Sequence, residues 1–294
     1  MASPSPRAGR ADTREIVELK ALAAREPALE AAASLQVELL ESQRRVLSRI
    51  TTPWIDVPDA ELQARLATGR RLLDFDALPV DWTEVRLLFR QATDVLRRYD
   101  AIEAETAEAL HAVGRGPALP DLAARWYGPS GSGLTSEPAD ATGDRAAPQE
   151  ASPEMLDDVL AWALRPFLTR AAEVLTQRVS LAAWRQGSCP ICGGDPALAV
   201  LTSAGERVLC CGRCAARWPF DSIACPFCGE ASRDRITSFA TPDGLYRVAA
   251  CQTCRRYLKA LDGRTAGRPI LPGLDAIATL PLDAVVMQKG FTGG

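Results

Sequence analysis

The sequence predicts an α + small β fold, in which an N-terminal all-α helical bundle is followed by two tandem zinc-ribbon modules. All nine cysteines lie between Cys189 and Cys254, and the residues before them contain none. Ahead of the cysteines, apolar residues recur at helical spacing, whereas short β-like runs such as RITSFAT and LYRVAAC follow Gly187. The chain therefore divides into a cysteine-free helical part and a cysteine-rich β part.

Size and charge narrow the possible functions only slightly. The chain has 294 residues and a net charge of -3, so it can bury a core and has no general attraction to nucleic acid or anionic membranes. It shows neither a signal-peptide core nor an uncharged apolar run of about 18 residues. These features predict a cytoplasmic protein without membrane insertion, where paired thiols are expected to hold metal rather than form disulfides.

The helical part is predicted from periodicity and from helix end signals. Apolar residues recur at helical spacing over 81–99, with Asp81 as the N-cap and Glu84 three residues on. The stretches 28–50 and 101–113 follow the same pattern. Short breaks containing proline separate these helices, which is typical of a helical bundle.

The stretch 128–153 interrupts the helical part. It is rich in Gly, Ser and Pro and contains one large apolar side chain, so it cannot bury a core and is predicted to be a mobile loop. Ser152 and Pro153 then fit the N-cap and first position of another helix. Pro166 is expected to bend or divide that helix.

Eight of the nine cysteines form four C-x2-C pairs. Two residues between cysteines make a tight turn that aims both sulfurs at one point, and two such turns complete a tetrahedron. The 18 residues between the first and second pairs lie in the range of a zinc ribbon, and the 22 residues between the third and fourth slightly exceed it. The first pair is therefore expected to join the second and the third to join the fourth. The predicted metal ligands are Cys189, Cys192, Cys211 and Cys214 in one site and Cys225, Cys228, Cys251 and Cys254 in the other.

The residues that follow each pair refine this prediction. Gly193 and Gly229 suit a backbone position with positive φ, which leaves N–H groups free to donate to sulfur. Ala215 and Arg255 occupy the same position after the other two pairs. The turns around those two pairs are therefore expected to be less regular.

Cys210 precedes Cys211 directly, and three residues separate it from Cys214, one more than a C-x2-C turn allows. Because successive side chains on a strand point to opposite faces, Cys210 is predicted to face away from the metal as a small buried hydrophobe. Trp218 and Tyr257 are expected to pack against the ribbons. His111, the only histidine, is interpreted as an ordinary helix residue.

Three rival functions fit less well. A thiol-disulfide oxidoreductase needs a helix N-terminus behind its dithiol, and neither CPICGGDPAL nor CPFCGEASRD resembles one. A zinc-ribbon nucleic-acid-binding protein needs a basic surface, but the two tetrathiolate sites would offset the small excess of Lys and Arg over 185–262. Metal-dependent hydrolysis needs an open coordination position, which a four-thiolate site lacks. The residues alone predict a binding protein rather than an enzyme.

The order CPICGGDP, LCCGRCAARWPFDSIACPFCG and CQTCRRYLKALD resembles the formate dehydrogenase accessory protein family, FdhE. The match includes the four pairs in order, Trp218 after the second pair and YLK after the fourth. The ending LPLDAVVMQKGF and, more faintly, the N-terminal LKALAAREPALEAAASLQVELLESQ also resemble that family. The segment 128–153 looks like an insertion relative to it.

This resemblance implies a cytoplasmic, non-catalytic maturation factor. It would bind the catalytic subunit of a respiratory formate dehydrogenase before export, and it would carry two rubredoxin-like sites held by the eight paired cysteines. Iron thereby joins zinc as a candidate, since tetrahedral thiolates accept both metals. The predicted units are a disordered N-terminus (1–12), a helical domain (13–187, with the loop 128–153), a first metal module (188–222), a second metal module (223–265) and a C-terminal tail (266–294).

Overall fold

A computed structural model describes residues 6–128 and 152–293, and the part before the cysteines is helical. Its helices are α1 (Pro6–Arg25), α2 (Glu30–Leu47), α3 (Asp59–Ala67), α4 (Trp82–Arg98), α5 (Ala104–Arg115), α6 (Leu119–Tyr127) and α7 (Pro153–Arg178). α1 begins ahead of the predicted start at residue 13. Residues 1–5 and nearly all of the predicted mobile loop 128–153 lie outside the described residues. None of the described helices is long and apolar enough to cross a membrane.

The predicted start of α4 is confirmed. The Asp81 carboxylate accepts hydrogen bonds from the backbone N–H groups of Thr83 and Glu84, at 2.9 and 3.4 Å, which satisfies donors that a helix start leaves unpaired. The Glu84 carboxylate accepts from the Arg49 guanidinium instead of turning back to the cap. The apolar face of α4 is buried through Val85, Leu88, Phe89, Ala92 and Val95.

α7 runs through Pro166 without interruption. Its predicted start is confirmed, because the Ser152 hydroxyl accepts the Met155 N–H at 3.2 Å and Pro153 is the first helical residue. Of the two expected effects of Pro166, division of the helix is wrong, while a bend at Pro166 stays a prediction. A proline inside a helix costs about 3 kcal/mol, and burial of apolar side chains on both sides of it offsets that cost. These side chains are Val159, Leu160, Leu164, Phe167, Leu168 and Leu175.

The cysteine-rich part forms one sheet. Its described strands are β1 (Pro196–Leu201), β2 (Arg207–Cys211), β3 (Arg217–Phe220), β4 (Ile236–Ala240), β5 (Tyr246–Cys251), β6 (Arg256–Asp262) and β7 (Thr292–Gly293). Two antiparallel units, β1 to β3 and β4 to β6, meet where β1 pairs with β6 in parallel, with Leu198 opposite Lys259. The strand order is β3-β2-β1-β6-β5-β4, and β7 pairs with β6. The two ribbons therefore share one hydrogen-bonded sheet, and the predicted α + small β class is confirmed.

The largest hydrophobic core joins the helices to the first cysteine-containing unit. Leu72, Leu73, Trp126 and Tyr127 from the helical part belong to the same buried cluster as Trp218 on β3. The four cysteines of the first two pairs lie in that cluster as well. The helical part and the first metal module therefore pack as one body, while the predicted domain boundaries stay a prediction.

The C-terminal segment returns to the helical part and to the sheet. It contains α8 (Gly263–Ala266), α9 (Pro272–Ala278) and α10 (Leu280–Gln288) before β7. Leu271 and Leu274 pack with Ile16 and Leu19 of α1. Phe291 is buried against the second β unit. The segment thus connects the first helix with the sheet.

Candidate metal centres

Each C-x2-C pair lies in the same kind of turn. The backbone N–H that follows the second cysteine donates to the carbonyl of the first, and these bonds run from Gly193 to Cys189 (2.9 Å), Ala215 to Cys211 (3.2 Å), Gly229 to Cys225 (2.9 Å) and Arg255 to Cys251 (2.9 Å). Two of the turns precede β1 and β4, and the other two connect β2 to β3 and β5 to β6. The turn is therefore repeated four times in a symmetric arrangement.

The backbone conformation is also the same in all four turns. Gly193 and Gly229 have φ values of 75° and 77°, as predicted, while Ala215 and Arg255 reach 59° and 62°. The expectation of less regular turns after the second and fourth pairs is wrong. A side chain in this left-handed region costs roughly 1–2 kcal/mol, and the hydrogen bonds of the turn hold it there.

The first cluster consists of Cys189, Cys192, Cys211 and Cys214. Its Sγ atoms are separated by 3.5 Å for Cys189 and Cys214, 3.5 Å for Cys192 and Cys211, and 3.6 Å for Cys192 and Cys214. A disulfide would require about 2.05 Å. Four sulfurs at about 2.3 Å from a central zinc ion stand about 3.75 Å apart in a regular tetrahedron. The donor set and its spacing therefore fit a tetrahedral thiolate site.

The second cluster consists of Cys225, Cys228, Cys251 and Cys254. Its Sγ atoms are 3.7 Å apart for Cys225 and Cys254 and 3.6 Å apart for Cys228 and Cys251. In both clusters the four sulfurs lie within 4.8 Å of one another, and among the described residues these are the two groups that could each hold a metal ion. The structure thus brings the eight cysteines together in the two sets of four that the spacing predicted.

The first cluster is closed on all sides. Its four cysteines are at most 1% exposed. The N–H groups of Leu72 and Leu73 donate to the carbonyls of Pro190 and Ile191, at 2.8 and 2.9 Å, and so bind the first turn to the helical part. Buried peptide groups and apolar side chains therefore separate these sulfurs from solvent.

Two arginines lie beside the glycines that follow the first pair: a Cβ atom on Gly193 would be 3.2 Å from Arg71 Cδ, and one on Gly194 would be 2.8 Å from Arg213 Cδ. The Arg71 guanidinium lies 4.6 Å from the ring centroid of Tyr127, and that of Arg213 lies 4.0 Å from Trp126. Arg213 also donates to the Trp126 carbonyl at 3.2 Å. Sequence reasoning did not single out these arginines, although Arg213 lies inside the CGRC pair. Both cations lie beside a site that thiolates would make negative.

The second cluster is only partly covered. Cys225 and Cys251 are 5% and 1% exposed, whereas Cys254 is half-buried and Cys228 is exposed. Within the second cluster, the first cysteine of each pair therefore lies inward and the second lies toward solvent.

Contacts on the inner side bind the third turn to the rest of the sheet. The buried Arg207 guanidinium on β2 donates to the Ala224 carbonyl at 2.8 Å. Arg256 lies 3.8 Å from the ring centroid of Phe227 and pairs with the Asp195 carboxylate at 2.7 Å. Sequence reasoning missed these two arginines, because their partners are distant in the chain.

Burial disfavours the charged thiolate forms of most cysteines in the first cluster. Burial raises the pKa of the Cys189 and Cys214 thiols well above their usual range. Burial acts on Cys211 in the same direction, but hydrogen bonds from the neighbouring thiols outweigh it and hold the pKa of Cys211 well below its usual range. In the second cluster, burial raises the pKa of Cys225 to about 12. A bound divalent cation would favour the thiolate forms that burial disfavours.

Cys210 lies apart from both clusters, as predicted. It is buried on the other face of β2, where burial raises the pKa of its thiol. It packs in a separate apolar cluster with Leu198, Tyr246, Leu261 and Ile270. The alternation of side chains along the strand therefore separates it from the adjacent Cys211.

The other singled-out side chains have the predicted packing roles. Trp218 is fully buried and its indole N–H donates to the Gln186 carbonyl at 3.1 Å. Tyr257 is buried and its hydroxyl donates to the Asp283 carboxylate at 2.6 Å. His111 lies on α5, with Nε2 3.0 Å from the Asp94 carboxylate. In the described structure, neither CPIC nor CPFC stands at the start of a helix, which a thioredoxin-type dithiol requires.

Comparisons with known proteins show similarity in sequence and in fold. No protein-family model matches the chain. Protein FdhE homologs are 29% identical over 147 residues in Haemophilus ducreyi and 31% identical over 107 residues in Pectobacterium carotovorum. These matches cover 49% and 35% of this chain and 47% and 34% of the relatives, so the chain matches less than half the length of either. The crystal structure of the FdhE protein from Pseudomonas aeruginosa has the same fold, with a TM-score of 0.63 and 21% identity over 99% of this chain and 95% of that one.

Proposed function

We propose that this chain is a non-catalytic accessory factor in the maturation of a respiratory formate dehydrogenase. The homologues and the shared fold support its membership of the FdhE family. It would act in the cytoplasm and bind the catalytic subunit of that enzyme. The observation that carries the proposal is the pair of four-cysteine clusters mounted on one sheet beside a helical body.

The eight paired cysteines would hold two metal ions, four thiolates to each ion. Tetrahedral thiolate sites of this kind accept zinc or iron. Four protein ligands leave no coordination position for substrate water, which supports a binding role over a hydrolytic one. With zinc the clusters would act as rigid scaffolds, and with iron they could also exchange electrons.

Metal analysis of protein purified without oxygen distinguishes these cases. Two metal ions per chain are expected by elemental analysis. Iron would give ferric-thiolate absorption after mild oxidation, whereas zinc would give none. A chain without tightly bound metal and with eight freely titratable thiols in the clusters would contradict the assignment.

Partner binding is tested by co-purification under anaerobic conditions. The tagged chain should retain the formate dehydrogenase catalytic subunit from cells of the source organism. A strain that lacks the chain should lose formate dehydrogenase activity, and the wild-type gene should restore it. Cys189→Ser with Cys192→Ser should fail to restore activity, while the matched change Cys210→Ser outside the clusters should succeed.

Two results would contradict the proposal. One is absence of the catalytic subunit from the purified complex together with normal enzyme activity in the deletion strain. The other is turnover of a disulfide substrate such as insulin by the metal-loaded chain, because metal-bound thiolates should be inert in that assay.

A further inference from the structure

The two clusters have the same turns but opposite access to solvent. All four sulfurs of the first cluster belong to buried residues that share the main core with the helices. In the second cluster, Cys228 is exposed and Cys254 is half-buried, and both are the second cysteine of their pair. The solvent-facing side of the second cluster is therefore formed by the second cysteine of each pair, and Cys228 is the more exposed of the two.

From this difference we infer that the second cluster is an exchangeable metal site with Cys228 as its leaving ligand, whereas the first cluster keeps its metal. The inference rests on the proposed metal-binding role of the eight cysteines and goes beyond it, because it assigns the two sites different tasks. The class of ligand that would exchange there is a soft donor, such as a small thiol or a cysteine thiolate of another protein.

Release from the first cluster requires opening of the protein core. The backbone bonds from Leu72 and Leu73 to the first turn would have to break, and the Arg213 contact with Trp126 would have to separate. The Arg165 guanidinium on α7 also donates to the Gly212 carbonyl inside the second turn, at 3.0 Å. Openings that expose a buried core are rare compared with motions of surface loops.

Release from the second cluster requires no such opening. The inner cysteines remain in place, because Arg207 holds the residue before Cys225 and the Gln252 N–H, next to Cys251, donates to the Arg235 carbonyl at 2.8 Å. Cys228 can then dissociate alone. With a metal bound, an incoming thiolate would replace the Cys228 thiolate as the fourth ligand, the released Cys228 thiolate would take a proton from solvent, and no change of oxidation state would be needed.

Zinc release kinetics test the inference. The full-length chain is loaded with two equivalents of zinc and mixed with excess 4-(2-pyridylazo)resorcinol, whose absorption reports free zinc. We expect two phases of equal amplitude, one zinc per chain in each, with rate constants that differ at least about tenfold. A single phase that releases both zinc ions, whether fast or slow, would overturn the inference.

Thiol labelling assigns the phases to the clusters. After the fast phase, N-ethylmaleimide followed by mass spectrometry should modify Cys225, Cys228, Cys251 and Cys254 and leave the first cluster unmodified. In fully loaded protein, Cys228 should be labelled first. Labelling of Cys189 or Cys214 in the fast phase would overturn the inference.

A variant adds a second, independent readout. Cys228→Ala should bind one zinc ion tightly and retain the slow phase, because the first cluster keeps all its contacts. Cys210→Ser is the matched control with both phases unchanged. Loss of the slow phase in Cys228→Ala would contradict the assignment of that phase to the first cluster.

Equal release rates of the two zinc ions in the unchanged chain would overturn this inference but not the proposed binding of formate dehydrogenase, since co-purification measures that binding directly.

Discussion

The first and second clusters show how one local motif acquires two environments. Both contain a pair of C-x2-C turns with the same hydrogen bonds and the same backbone conformation. The first lies at most 1% exposed in the main core, while the second presents Cys228 to solvent. Ligand geometry and ligand accessibility are therefore separate properties, and accessibility depends on what packs around the motif.

The difference follows from which elements cover each β unit. The β1 to β3 unit is packed against the helices that precede it, so its turns lie within the largest hydrophobic cluster. The β4 to β6 unit extends the sheet on the other side of the β1–β6 pairing, and β4 is its last strand. Its third turn is contacted by Arg207 and Arg256, and its fourth turn by the C-terminal segment, where Arg255 donates to the carbonyls of Lys289 and Gly290.

The largest expected effect is the loss of stability when one cysteine ligand is replaced in each cluster. Cys192→Ser should reduce the free energy of unfolding by more than about 4 kcal/mol, because loss of a structural metal is among the most destabilising changes. Cys228→Ser should reduce it by less than half as much, since Cys228 is an exposed residue. Chemical denaturation of the zinc-loaded variants measures both values. Equal losses would contradict the expectation that the first cluster contributes more to the free energy of unfolding than the second.

The contact between the segment ahead of the first turn and the third turn is tested at Gly187. A Cβ atom there would lie 1.8 Å from the Pro226 carbonyl oxygen in the third turn, and overpacking of this kind costs typically about 1–3 kcal/mol. Gly187→Ala should therefore displace the third turn and accelerate zinc release from the second cluster. Release from the first cluster should change less, and an unchanged fast phase would show that the second cluster does not depend on this contact.

A matched pair of glycine variants separates backbone strain from packing. Gly193 and Gly229 have the same φ, but a Cβ at Gly193 would lie 3.2 Å from Arg71 Cδ, whereas one at Gly229 would meet nothing within 4 Å. Each change to alanine should cost about 1–2 kcal/mol through φ alone, with a further loss for Gly193→Ala. Conversely, Ala215→Gly should be stabilising or neutral. Thermal unfolding gives the ranking, and a larger loss for Gly229→Ala would contradict the difference in packing.

The smallest expected effect concerns the cysteine outside the clusters. Cys210→Ala should reduce the free energy of unfolding by about 1 kcal/mol, as is common for a small buried change. Both zinc ions should remain bound, because the Cys210 side chain lies on the opposite face of β2 from Cys211. Elemental analysis checks the metal content, and loss of one equivalent would place Cys210 among the ligands.

Features that obey local rules could be predicted from the sequence. The Asp81 and Ser152 caps depend on residues within one helical turn, and the opposite facing of Cys210 and Cys211 depends on strand geometry. The grouping of the eight cysteines follows from their spacing. The continuity of α7 through Pro166 could not be predicted in this way, because burial on both sides of the proline outweighs its local preference.

The amino-acid sequence by itself determined the helical and β parts and the four turns, since each depends on neighbouring residues, and it determined the two sets of candidate ligands through the spacing of the cysteine pairs. The tertiary structure alone decided that the ribbons join through β1 and β6, that Ala215 and Arg255 adopt a conformation typical of glycine, and that one cluster is closed while the other is open. The physical reason is that exposure and strand pairing depend on contacts between residues far apart in the chain, such as Leu72 with Pro190 and Arg256 with Asp195.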